Sequence, residues 1–325
     1  MKLIRTLLAA AAAAFAMSGA HASLTTFQQF TGSYGLSSDG WGSTSQSGFI
    51  DAYVPAGATV VAAYLYASTF GGAAASIGGT LNGQAIGPMT ALGANNVGLA
   101  AYRANVTSLI KADIDGGPGG TYSFAVTENA STQDGYALVV VYQLPALPLS
   151  TVAILDGFSQ TTGDNTSIAF ANPLDVDNPA FFAEMRLGIG FSCCNQRSTV
   201  TVNGATLTEN AGNNDDSADE SVSNGNLITV GGNNDPFSPA NPSYAADHER
   251  YSLLPFLADG DQLISIRTLN PSNDDNIFVA MFHVLGEANV CQENCEVPEP
   301  MSLALVGLAL AGIGLHRRRP GIKRA

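Results

Sequence analysis

Two almost uninterrupted apolar runs, Tyr136–Leu144 (YALVVVYQL) and Ile277–Leu285 (IFVAMFHVL), constrain this chain most. A short run of Val, Tyr, Phe and Leu without polar alternation reads as a central strand buried on both faces. What precedes each run recurs in the same order. Val60–Phe70 and Phe181–Phe191 are strand-like. Asn82-Gly83 and Asn203-Gly204 are two-residue hairpin signals. Tyr102–Lys111 and Tyr251–Leu257 are short amphipathic segments, the first a candidate helix or turn. Thr121–Thr127 alternates apolar and polar residues, and Gln262–Leu269 stands in its place. Identity between the halves is low, and all-β chains can share such spacing by chance. The order of elements favours duplication.

The expected fold is therefore all-β: two related β-sandwich domains, jelly-roll or immunoglobulin-like, in tandem at 49–147 and 148–288. Residues 23–48, rich in Gly and Ser, read as a loosely packed N-terminal arm, with Trp41 plugging a core edge. The second domain carries a polar, acidic insertion at 209–250, a length at which loops are functional or disordered. Residues 289–296 form a cysteine-bearing stem.

Both ends carry addresses. Lys2 and Arg5 precede the apolar stretch Leu7–Met17, and Ala20-His21-Ala22 supplies a small-x-small cleavage pattern. Residues 1–22 are thus a secretory signal peptide, implying passage through the Sec translocon, with the mature chain starting at Ser23. Residues 23–296 hold six basic and twenty-six acidic side chains, a net charge of −20. Such a body repels nucleic acid and anionic membranes and attracts divalent cations. Export makes disulfides the default for Cys193, Cys194, Cys291 and Cys295. Three connectivities are open, and a four-thiolate zinc site is a further option.

At the C-terminus, Val297, Pro298, Glu299 and Pro300 lead into the uncharged run Met301–Leu315, closed by His316 and Arg317, Arg318 and Arg319. As a helix the run is about 22 Å long, short of the roughly 30 Å hydrocarbon core. Three glycines weaken it further. Read from its residues alone it is a weak single-pass anchor with the body outside the inner membrane. The three parts in this order resemble the PEP-CTERM sorting tail of Gram-negative bacteria. The resemblance implies recognition by an exosortase, transient inner-membrane insertion, cleavage near Pro298–Pro300, and delivery to the cell surface or extracellular matrix. A second, weaker resemblance spans residues 131–158, which are similar to an uncharacterised module of bacterial surface proteins. It bears on fold and location only.

No His-Glu-x-x-His, Gly-x-Ser-x-Gly or phosphate-loop motif is present. His283 lies in an apolar strand as a structural histidine. His248, in Asp247-His248-Glu249, reads as a solvated loop residue or a metal ligand. Calcium is the best cofactor candidate, because Asp215, Asp216, Asp219 and Glu220, with Asp274 and Asp275, are oxygen ligands clustered in loops. A solvated acidic surface is the competing reading. The expected function is a non-enzymatic, exported surface or biofilm-matrix protein that binds exopolysaccharide or matrix proteins or serves as a spacer. The alternative is a secreted carbohydrate-active hydrolase using loop carboxylates.

Overall fold

The computed structural model describes residues 23–71, 77–191, 196–212, 227–271 and 275–292. The first repeat contains β2 (Tyr34–Gly42), β3 (Ser47–Val54), β4 (Thr59–Thr69), β5 (Gly79–Leu81), β6 (Gln84–Ala85), β7 (Thr90–Ala94) and β8 (Ala100–Asn105). The helix α1 (Thr107–Asp115), β9 (Gly120–Glu128) and β10 (Gln133–Gln143) complete it. The strand β1 (Thr25–Gly32) precedes it. The second repeat contains β11 (Ser150–Asp156), β12 (Asp164–Phe170), β13 (Ala183–Gly190), β14 (Ser198–Val202), β15 (Ala205–Ala211) and β16 (Ile228–Val230). After these come β17 (Arg250–Ser252), a 3-10 turn at Leu254–Phe256, β18 (Leu263–Leu269) and β19 (Asn276–Leu285). The strand β20 (Ala288–Cys291) ends the described chain.

The two halves pair their strands alike. In the first, one sheet has the order β2-β10-β4-β8-β7 and the other β3-β9-β5-β6. In the second, β11-β19-β13 continues to β16 and β17, and the facing sheet runs β12-β18-β14-β15. The pairings are antiparallel throughout the four sheets. Both Asn-Gly pairs sit at hairpin tips with left-handed backbone, φ 52° and 75° at Asn82-Gly83 and 50° and 79° at Asn203-Gly204. These are the signs a type I′ turn needs.

Three apolar cores follow from this arrangement. One lies inside each sandwich, and a third joins the two β10- and β19-centred sheets back to back. The result is four layers. Along β10, Tyr136, Leu138, Val140 and Tyr142 enter the first sandwich, while Ala137, Val139 and Val141 enter the central core. Along β19, Ile277, Ala280, Phe282 and Val284 face the second sandwich, and Phe278, Val279 and Met281 the centre. Both runs are strands buried on two faces, as their composition predicts. Phe70 and Phe191, at matching places in the repeats, stack with centroids 4.1 Å apart. The central core also contains an ion pair: Arg103 donates to Asp156, which accepts from Tyr66 Oη at 3.0 Å, and the Phe27 ring covers the guanidinium.

The N-terminal stretch is not a loose arm. Residues 25–42 form β1 and β2, and β2 pairs with β10 along its length. Small residues there allow close packing. A Cβ on Gly35 would lie 2.4 Å from the Tyr142 ring, and one on Gly48 would lie 2.1 Å from Trp41 Nε1. Trp41 is buried and stacks on Tyr136. The strand β1 crosses to the second sandwich and pairs with β11, and β20 pairs with β12. The Gln29 side chain joins these added strands. Its Nε2 donates to the Ala288 carbonyl and its Oε1 accepts from Val290 N–H, both at 2.9 Å. Residues 289–291 of the stem are therefore sheet. The 209–250 insertion contains β16 as well as parts of β15 and β17, and the last two pair with β14 and β13. The candidate helix is α1, five residues later than the sequence suggests, because Ala100–Asn105 is strand β8.

Candidate functional site

Where the two sandwiches meet, the loop 231–237 of the second lies on β2 of the first. Ser38 N–H donates to Asn233 Oδ1 at 3.1 Å, Asn233 N–H donates to the Ser38 carbonyl at 3.0 Å, and Ser38 Oγ donates to the Gly231 carbonyl at 2.7 Å. Beneath this seam Arg186, 2 % exposed on β13, donates from Nη1 to Ser38 Oγ at 2.8 Å and to Asn233 Oδ1 at 2.5 Å. Its other nitrogens meet Glu184 Oε1 at 2.6 and 3.1 Å. The second oxygen of Glu184 faces Arg250 Nη2 at 3.4 Å, and Arg250 Nη1 donates to the Asp235 carbonyl at 2.8 Å. Burial raises the pKa of the Glu184 carboxyl, but the two guanidiniums outweigh burial and hold it below the usual range.

Above the network opens a cleft of about 260 Å³. Ser38 and Asp39 of β2, Asp51 and Tyr53 of β3, and Thr121 line one side, with Asn233 and Asn234 opposite. Asp51 N–H donates to Asp39 Oδ2 at 2.6 Å. Burial, with the charges of Asp51 and Asp235 nearby, pushes the Asp39 carboxyl up to about 7. Phe49, Asp51 and Tyr53 alternate on the outward face of β3, and Phe49 is 68 % exposed. The cleft is lined by two carboxyls, two amides, the hydroxyls of Ser38 and Thr121 and one aromatic ring, Tyr53, with no Lys or Arg among them.

A Ser-His-Glu arrangement also occurs. His283 Nε2 lies 3.2 Å from Ser150 Oγ, and Nδ1 lies 3.9 Å from Glu184 Oε1. It lacks what a nucleophile needs. Ser150 is fully buried and its hydroxyl donates to the Tyr34 carbonyl at 2.9 Å. Burial drops the His283 pKa to about 4, against the pull of Glu184. This is a structural histidine.

Of the residues singled out from sequence, most lie outside the described residues: Ala20 and Ala22, Cys193, Cys194 and Cys295, Asp215, Asp216, Asp219 and Glu220, Asp274, and the tail from Val297 through Arg319. Cys291 is disulfide-bonded. Asp275 is buried, with Ser198 Oγ 3.5 Å from its Oδ2. Among the described residues no three His, Cys, Asp or Glu side chains come together as a metal site, and no helix is long and apolar enough to cross a membrane. Asp247 and Glu249 are buried rather than solvated: Tyr251 Oη donates to Asp247 Oδ1 at 2.6 Å, and Thr229 Oγ1 to Glu249 Oε2 at 2.7 Å. The cleft residues Asp39, Asp51 and Tyr53 were missed. Asp39 lay in the segment read as an arm, and Asp51 and Tyr53 lay in the first β-domain with no motif to mark them.

Asp39 has company in its upward shift. Burial pushes Asp134 to about 7, and burial with the charge of Asp134 pushes Glu128 to about 8. A raised carboxyl stabilises the fold fully below its unfolded value, and that stability is lost as pH rises through the folded value. Glu184 acts oppositely, losing its contribution as pH falls below the ordinary carboxyl range. Stability should therefore peak near pH 5 and fall by about 1–3 kcal/mol toward pH 8, after discounting for solvent screening. Melting curves at a series of pH values in chelator check this. A midpoint that rises between pH 5 and 8 contradicts it.

The PEP-CTERM protein-sorting motif matches residues 296–319. The chain thus carries a PEP-CTERM sorting motif, which implies processing by an exosortase and export to the cell envelope or surface. No curated protein and no solved structure matches it.

Proposed function

We propose that the exported body is a non-catalytic binder of neutral polysaccharide in the extracellular matrix, and that the cleft between β2, β3 and the 231–237 loop holds the sugar. The supporting observation is the cleft's lining: Asp, Asn, Ser and Thr side chains with the Tyr53 ring and no cation. Carboxylates and amides accept and donate to vicinal hydroxyls, and a ring such as Tyr53 covers the apolar face of a sugar. An anionic polymer would meet Asp39, Asp51 and a body of charge −20. Export to the cell envelope or surface supports this reading, because extracellular polymers are met there. In affinity electrophoresis with neutral glycans, Tyr53→Ala and Asp39→Asn should each weaken retention about tenfold or more, corresponding to roughly 1.4 kcal/mol. Unchanged retention in both variants would sink the proposal.

One observation favours a second reading. Asp39, whose carboxyl burial pushes up to about 7, lines the cleft together with a second carboxyl, Asp51, and glycoside hydrolases use a pair of carboxyls. Release of reducing ends from a bound glycan, abolished by Asp39→Asn, would establish a hydrolase in place of a binder.

A further inference from the structure

The open end of the first sandwich collects oxygen atoms that have no hydrogen-bond partner: Glu128 Oε1, Thr132 Oγ1, Gln133 Oε1 and Asp134 Oδ2. The backbone explains why the three carbonyl-type groups gather. In β9, Phe124 and Val126 point into the core, and the period of two sends Glu128 the same way. In β10 a bulge falls between Gln133, opposite Thr69, and Gly135, opposite Ser68, so Asp134 is an extra residue. A bulge re-aims side chains and leaves its extra residue unpaired. Gln133 is only 4 % exposed. Its Nε2 donates to Tyr136 Oη at 3.0 Å, and Tyr136 Oη donates onward to the Gly78 carbonyl at 2.6 Å. That chain fixes the amide with its nitrogen inward and leaves its oxygen unmatched.

We propose that Glu128, Gln133 and Asp134, with Thr132, form a calcium site at this end of the sandwich. Every orphaned atom is an oxygen, two belong to carboxylates, and one to a buried neutral amide. Calcium accepts such a mixed set in irregular geometry and fills remaining positions with water or backbone carbonyls, whereas magnesium demands near-octahedral geometry. Two carboxylates balance the charge of the ion. Burial holds both carboxyls above the usual range, and the charge of Asp134 adds to this at Glu128. The site shares no residue with the cleft.

The test is thermal melting of the processed full chain at about pH 8 in chelator and in millimolar calcium. Binding of calcium to the folded state alone should raise the midpoint by about 5 °C or more. The pair Glu128→Gln and Asp134→Asn should melt at least as high as wild type in chelator and show no calcium shift. The wild-type shift should shrink at about pH 5.5, where protons compete for the carboxylates. Glu128→Gln alone should weaken apparent affinity about tenfold, which keeps the test decisive if the double variant folds poorly. No wild-type shift would mean ordered water only and would overturn the proposal. A shift undiminished in the variants would place calcium elsewhere and overturn it equally.

Discussion

Arg186→Ala should lower the unfolding free energy by about 3–5 kcal/mol, the cost of leaving a buried charge without its partner. For a cooperative unit of this size that is roughly 6–15 °C in midpoint. The substitution leaves Glu184 with the longer Arg250 and His283 contacts and removes the two hydrogen bonds that Arg186 gives to Asn233 and Ser38, leaving the direct Ser38 bonds of the seam. Adding Glu184→Gln to the same background should recover part of the loss, because the unpaired negative charge disappears. Differential scanning calorimetry of the single and double variants reads both effects. A loss under about 1 kcal/mol would show that the apolar central core alone sets the junction.

The second large effect concerns place rather than stability. Deleting 297–325 removes the matched sorting motif while leaving β20 intact. The protein should change from surface-retained to freely secreted or periplasmic. Fractionation followed by immunoblotting tests this, and unchanged location would contradict sorting through the tail. Substituting Pro298-Glu299-Pro300 alone should instead trap the uncleaved form at the inner membrane.

The two effects also mark how much could be read from residues alone. Repetition was visible because Asn-Gly turns and apolar strands carry strong local signals. The back-to-back stacking of the repeats was half visible: Tyr136–Leu144 and Ile277–Leu285 declared two buried faces, but nothing in them says what covers the second. The segment 23–48 misled because Gly and Ser usually mark loops. Here Gly35 and Gly48 are small so that Tyr142 and Trp41 can approach. The cleft was invisible for a related reason. Its two sides, Asp39 with Asp51 and Asn233 with Asn234, lie nearly two hundred residues apart and converge only through the seam. Glu184, Arg186 and Arg250 look like ordinary polar interruptions of strands until β13 and β17 pair. Local pattern reports which face is apolar and leaves long-range polar partnerships unspecified.

The clasp of β1 to β20 has a mechanical consequence. If the tail were held in the membrane, drag on the body would reach the sheets first at β20. That load falls first on the ladder from β20 to β12 and on the Gln29 amide, which lock the added strands to each other. Both added strands lie outside the order of pairing that the two repeats share. Tension on this end would thus peel away a removable outer seam and spare the two repeated sandwiches, with β1 and β20 serving as strain relief.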